Sequence, residues 1–383
     1  MNSRERVLAT LNHKEPDKVP IDLGSTEVTT ITRVAYDNLR QHLGMEPDPD
    51  PKNHNIVLGS LDPMEDLLRR YEVDCRPVHI GGPSEFEALE APADCLYDEF
   101  GVLWRKASYY YDAIERPLTD CTSVQDLDGA RWPDPTDPGR VDGLREKAKD
   151  LYENTDYAVV GDIVALGPFE GACILRGYDK FCMDLYSDVR FAEALLDKIT
   201  ELALCLWDVF LDAAGDYVQV VAQGDDVGTQ TGLFISPQMY RRFVKPRQKR
   251  IFDFVHSKTA AKVFLHSCGS VYDVIPDFIE IGVDILNPIQ PSAAKMDIVR
   301  LKREFGKDLC FWGGGIDVQQ VLPFASVEKI EQEVRRSIEV LAPGGGYVFA
   351  PSHNIQADTT PDRIHQVYET ALEWRDYPVV GRV

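Results

Sequence analysis

The sequence predicts an α/β protein folded as a single (β/α)8 TIM-type barrel, with an N-terminal extension and a hairpin excursion over the barrel mouth. Three observations carry that prediction. Eight short apolar, β-branched runs end abruptly in polar residues or glycine, and near-continuous apolar runs read as parallel strands buried on both faces. Segments of helical periodicity separate them, which is the alternation of parallel α/β folds. The 383 residues, 44% hydrophobic, are enough for one such barrel with insertions. A doubly wound open sheet is the alternative arrangement of the same elements.

In chain order, MNSRERVLATLNHKEPDKVP carries charges at Arg4, Glu5 and Arg6 and again from His13 to Lys18. Its apolar stretch is too short for a secretory leader and reads as an amphipathic helix. VPIDLG (19–24) is the first strand and EVDCRPVHIGG (72–82) the second and weakest. The segment 97–118 alternates like an antiparallel hairpin turned at Phe100 and Gly101, and it is too polar for a barrel strand. With the Pro/Asp-rich connector ARWPDPTDPGR it forms an excursion over about residues 97–140 that leaves and rejoins one domain spanning 1–383. The other strands are YAVVGDIVALG (157–167), YVQVVAQGDD (217–226), KVFLHSCG (262–269), VDILNPIQP (283–291), LCFWGGGID (309–317) and GYVFAPSHN (346–354). Between them, Ser236 before Pro237 and Ser326 before a run ending in glycines mark helix starts.

Composition narrows the function. The formal net charge of −22 repels phosphate backbones and anionic membrane surfaces, which excludes nucleic-acid binding. No window approaches the roughly 18 consecutive apolar residues that span a bilayer, so the expected location is cytoplasmic, away from membranes. The eight cysteines are scattered without a CxxC pair and read as reduced.

In a parallel barrel the strand C-termini build the active site, so the polar residues ending each run are the candidates. They are Asp22, Glu27, Asp162, Glu170, Gln223, Asp225, Asp226, His266, Cys268, Asn287, Gln290, Asp317, Ser352 and His353. LHSCG is the sharpest element: residues two apart on a strand share a face, so His266 and Cys268 present imidazole and thiolate to one point. Catalytic zinc needs a third protein ligand, for which His353 leads and Asp226 and Glu170 follow. Asp225 and Asp226, between Gly224 and Gly228, are an acid–base pair, a cation site or a helix N-terminus. The two GGG stretches lack the lysine or spacing of a phosphate loop and suit close approach to a bulky ligand.

Taken together with DDVGTQTGLFISPQMYRRFVKP, DILNPIQP, FWGGGID and GGGYVFAPSHNIQADTTPD, these motifs resemble the uroporphyrinogen decarboxylase superfamily, and more closely its corrinoid-dependent methyltransferase branch. The resemblance runs over nearly the whole chain and implies one barrel with a deep, open mouth. Decarboxylases of the family carry an arginine-rich segment near the first strand, where this chain has IDLGSTEVTT. Of their GHGxHPDTP motif, His353 matches the first histidine and Gln356 replaces the second, so the resemblance points away from porphyrinogen decarboxylation. In the methyltransferase branch zinc is held by HxC and a later cysteine; His266 and Cys268 match, and Gly345 stands at the third place.

The implied activity is zinc-dependent methyl transfer between a small methylated substrate or thiol and a corrinoid (cobamide) on a partner protein. His266, Cys268 and His353 would hold the metal, Asp226 and Glu170 would manage the proton, and Gln223, Asp225, Asn287, Gln290 and Asp317 would face the substrate. A decarboxylase of a tetrapyrrole or smaller carboxylic acid, and a non-catalytic corrinoid- or tetrapyrrole-binding protein, are the alternatives.

Overall fold

In the computed structural model, which describes residues 1–86 and 89–379, seven short parallel strands pair in sequence order into one curled sheet. They are β1 (Cys75–Val78), β2 (Ala158–Gly161), β3 (Val220–Gly224), β4 (Lys262–His266), β5 (Ile285–Asn287), β6 (Cys310–Trp312) and β7 (Tyr347–Val348). The run at 19–24 closes the ring between β7 and β1 as a bridge, not a full strand. Phe349 N donates to Pro20 O and Asp22 N to Phe349 O, both at 2.8 Å, while Asp74 N donates to Ile21 O at 2.8 Å. Proline has no N–H to extend the ladder, and the Asp22 carboxylate turns the chain by accepting from Ser25 N and Oγ. An eighth strand therefore shrinks to three residues, and the barrel is retained.

Alternation divides each strand between two cores. Val160, Val220, Ala222, Phe264, Ile285 and Trp312 fill the barrel interior, where Val7 and Leu11 join them from below. Their neighbours Val159, Val221, Leu265, Leu286 and Phe311 pack outward into the larger cluster shared with the helices. The N-terminal extension is thus a plug. Its helix, Ser3–Leu11, starts at a capping box made by Asn2 and Glu5. Arg6 fastens it, bonding Asp74 at 2.6 Å and Asp17 at 2.8 Å, and Asp74 in turn accepts from Ile21 N.

Two features depart from expectation. The excursion is a three-stranded antiparallel sheet, Cys95–Tyr97, Leu103–Lys106 and Tyr111–Glu115, in place of one hairpin. Asp98 builds the first turn by accepting from Phe100 N and Val102 N, and Ala107 N bonds Tyr110 O in the second. The helix capped by Ser236 runs to Lys258 but widens to a π turn over Tyr240–Val244. Lys245 N bonds Tyr240 O, and Pro246 next along the chain has no N–H to return to the α-type pattern. Among the described residues no helix is long and apolar enough to cross a membrane.

Candidate functional site

The barrel register builds the site. His266 ends β4 opposite Gly224 of β3 on one side and Asn287 of β5 on the other. A Cβ at Gly224 would press on Ile163, 3.3 Å away; Asn287 directs the imidazole, since Asn287 Nδ2 donates to Trp312 O at 2.9 Å and its Oδ1 therefore faces His266 Nδ1 at 2.6 Å. Nδ1 therefore carries the proton, and the Nε2 lone pair points to Cys268 Sγ, 3.4 Å away. Gly269 then turns the chain with φ +83°, and a Cβ there would lie 2.5 Å from Thr229 O, which only glycine tolerates.

His353 arrives from the loop after β7, its ring centroid 5.6 Å from that of His266. One ligand atom each of His266, Cys268 and His353 lies within 4.8 Å of the others. The 3.4 Å between Nε2 and Sγ matches the roughly 3.6 Å that nitrogen and sulfur keep around a tetrahedral zinc ion. Burial, reinforced by His266, pushes His353 down to about 3, so it is a neutral donor. Burial and the carboxylates of Asp226 and Glu170 push the Cys268 thiol up, so a thiolate there needs a cation beside it. The donor set fits zinc.

Asp226 Oδ1 accepts from Cys268 N at 2.7 Å and stands 3.7 Å from His266 Nε2, beside the trio. Glu170 Oε2 accepts from Asp226 N at 3.3 Å; burial, with Asp226 and Asp225 nearby, pushes its carboxyl above the usual carboxylate range. Both border a cavity of 470 Å³ at the C-terminal mouth, together with Glu27, Trp104, Tyr110, Arg116, Tyr178, His266 and His353. The excursion supplies Trp104, Tyr110 and Arg116, and so it does cover the mouth.

The other substrate candidates lie elsewhere. Gln223 has the outward parity of β3; it accepts from Trp207 Nε1 at 2.9 Å and donates to Ala165 O and Gly224 O, facing the helical layer. Asp225 is the helix N-terminus among its readings, taking Phe169 N and Glu170 N at 3.0 and 2.8 Å and Gln248 Nε2 at 2.8 Å. Asn287 acts on the imidazole. Gln290 accepts from Gly269 N at 2.6 Å and borders a neighbouring pocket with Cys268. Asp317 accepts from Gln319 N and Gln320 N in a local turn. Sequence reasoning passed over His54, Asn55, Asp62 and His79 and the excursion's Trp104, Tyr110 and Arg116. Only His79, at the polar end of a predicted strand, carried a signal.

The profile of the uroporphyrinogen decarboxylase (URO-D) family matches residues 110–374. A uroporphyrinogen decarboxylase from Saccharopolyspora erythraea is 24% identical over 204 residues, 51% of this chain and 52% of that protein, so the match spans about half of that relative's length. A methyltransferase from Methanosarcina mazei shares the fold, with TM-score 0.64, 20% identity and coverage of 97% of this chain and 99% of that one. A B12-independent methionine synthase from Shewanella sp. W3-18-1 aligns over 60% of this chain and 66% of its own, with 13% identity and TM-score 0.40. With the matched profile spanning most of the chain, including the segments that carry His266, Cys268 and His353, this protein belongs to the URO-D family.

Proposed function

We propose that the protein is a zinc-dependent methyltransferase that moves a methyl group between a small methylated substrate or thiol and a corrinoid carried by a partner protein in the cytoplasm. The observation that carries this reading is the convergence of His266, Cys268 and His353 beside the cavity. Two nitrogens and one sulfur suit zinc, which when bound there stabilises a sulfur nucleophile or leaving group as thiolate at neutral pH. The likeness in fold to a methyltransferase supports the same reading.

The chain's own residues do the rest. Asn287 fixes the tautomer and angle of His266, and Asp226 anchors the Cys268 turn through its backbone N–H. Glu170 stands at the cavity wall with its carboxyl pushed above the usual range by burial and Asp226, the placement of a group that manages the proton. Trp104 and Tyr110 of the excursion line the same cavity. Among its described lining the cavity offers one arginine or lysine, Arg116, and carries further carboxylates such as Asp112 and Asp226, which opposes a tetrapyrrole bearing many carboxylates.

Zinc-loaded protein mixed with methylcobalamin and a panel of small thiols tests this directly. We expect demethylation of the cobamide, and we expect Cys268→Ser to abolish it while releasing one equivalent of zinc. Wild-type metal content and turnover in Cys268→Ser would overturn the reading.

A further inference from the structure

A second cluster of donors lies on the side of the cavity built by residues 22–162, where Glu27 and Asn55 form part of the lining. Its centre is Asp162, whose side chain has no exposed surface. His54 Nε2 and His79 Nδ1 each stand 3.2 Å from Asp162 Oδ2. Glu27 Oε2 lies 3.9 Å from the same His54 nitrogen and is held by Asn55 Nδ2 at 2.9 Å. Ligand atoms of His54, His79 and Asp162 fall within 4.8 Å of one another.

We propose that His54, His79, Asp162 and Glu27 form a second binding site for a divalent transition-metal ion, independent of the trio at His266. Four features support it. The two 3.2 Å separations approach the roughly 3.4 Å that nitrogen and oxygen ligands keep around a tetrahedral ion. Two imidazoles with a carboxylate are a donor set that suits zinc, iron(II) or cobalt(II) better than magnesium or calcium. The far nitrogen of His79 sits 3.1 Å from Asp62, the carboxylate–histidine pairing that orients metal-bound imidazoles. Finally, two carboxylate oxygens face one imidazole nitrogen, with Asp162 Oδ2 at 3.2 Å and Glu27 Oε2 at 3.9 Å from His54 Nε2. The His54 side chain, 19% exposed, leaves a path for the ion.

Titration of the metal-free full-length protein with cobalt(II) separates the two sites, because only a Cys268-ligated ion gives a thiolate-to-cobalt charge-transfer band. We expect two equivalents in the wild type, one with the band and one without. His54→Ala, at a partly exposed position, and the isosteric Asp162→Asn should each lower affinity for the bandless equivalent by at least about tenfold and leave the band intact. Cys268→Ser should do the reverse. A single equivalent carrying the band overturns the second site and leaves the first. Two equivalents bound with unchanged affinity in both variants also overturn it. An equivalent lost in His54→Ala from a protein that never shows the band supports this site and sinks the zinc reading at Cys268.

Discussion

The two walls of the cavity are held by different kinds of contact. On the wall built from β3 to β7, functional side chains are strand-register neighbours: His266 pairs with Asn287, and one residue further along the chain Ser267 N still bonds Asn287 O. On the wall built from residues 22–162, Glu27, His54, His79 and Asp162 come from four separated segments, joined by bonds such as Glu27 N to Asp162 Oδ2 at 2.8 Å. A ladder positions a side chain through its immediate neighbours. Loop convergence depends on every segment arriving correctly.

The largest expected effect is on the ladder side and depends on pH. Burial raises Asp225 to about 7 and raises Glu170 as well, so the native protein binds more protons than the unfolded chain between the ordinary carboxylate range and neutrality. Stability attached to these two groups is therefore present at low pH and falls as pH rises through about 7. Asp225→Asn removes the Asp225 part while keeping an oxygen for the Phe169 and Glu170 N–H groups. Thermal melts should show a flatter pH profile, with a difference between pH 5 and pH 8 smaller by on the order of a few kcal/mol. An unchanged slope would detach Asp225 from the ladder wall's electrostatics.

Next comes Asn287→Ala, which leaves both ligating atoms of the HxC pair in place and removes only the acceptor at Nδ1. Zinc affinity should fall about 10- to 100-fold by competition with a chromophoric chelator. Zinc affinity equal to wild type would show that the strand pairing alone orients His266. Gln223→Leu probes the outer face of the same ladder. Trp207 Nε1 loses its buried acceptor, so stability should drop by about 1–3 kcal/mol in urea melts while zinc affinity and KM stay put. A raised KM would return Gln223 to the substrate.

The same contrast decides what was legible in the sequence. The eight strand segments, the HxC pair on one strand face, His353 after the last strand and the helix starts at Ser236 and Ser326 all follow from local pattern and period-two parity. Parity also argues against Gln223: with Val220 and Ala222 inside, residue 223 must point out. The short first strand needed the tertiary fact that Pro20 and Asp22 meet Phe349. His54 lies in a three-residue polar strand, Asn53–Asn55, too short and too polar to show any periodicity, and its partners are separated from it by 25 to more than 100 positions. The third strand of the excursion hid in SYYYDAIE, whose second turn carries neither glycine nor proline.

The smallest expected effect tests whether the excursion is coupled to the ladder wall. Tyr110 accepts a bond from Gln356 Nε2 at 2.7 Å and rests its ring 6.4 Å from that of His353, edge to face. Gln356 thus ties the excursion to the loop that carries His353, at the position where family decarboxylases place a second histidine. Tyr110→Phe keeps the ring against His353 and deletes the hydroxyl alone. One neutral hydrogen bond contributes about 0.5–1.5 kcal/mol, and part of that bond is replaced when Gln356 turns to Asn354 O, already 3.4 Å away. KM should therefore rise only a few-fold, with kcat and zinc affinity unchanged, because the bond shapes the roof of the cavity and touches no donor atom. A fall in zinc affinity would instead mean that the roof holds His353 in place, and the two walls would then act as one unit.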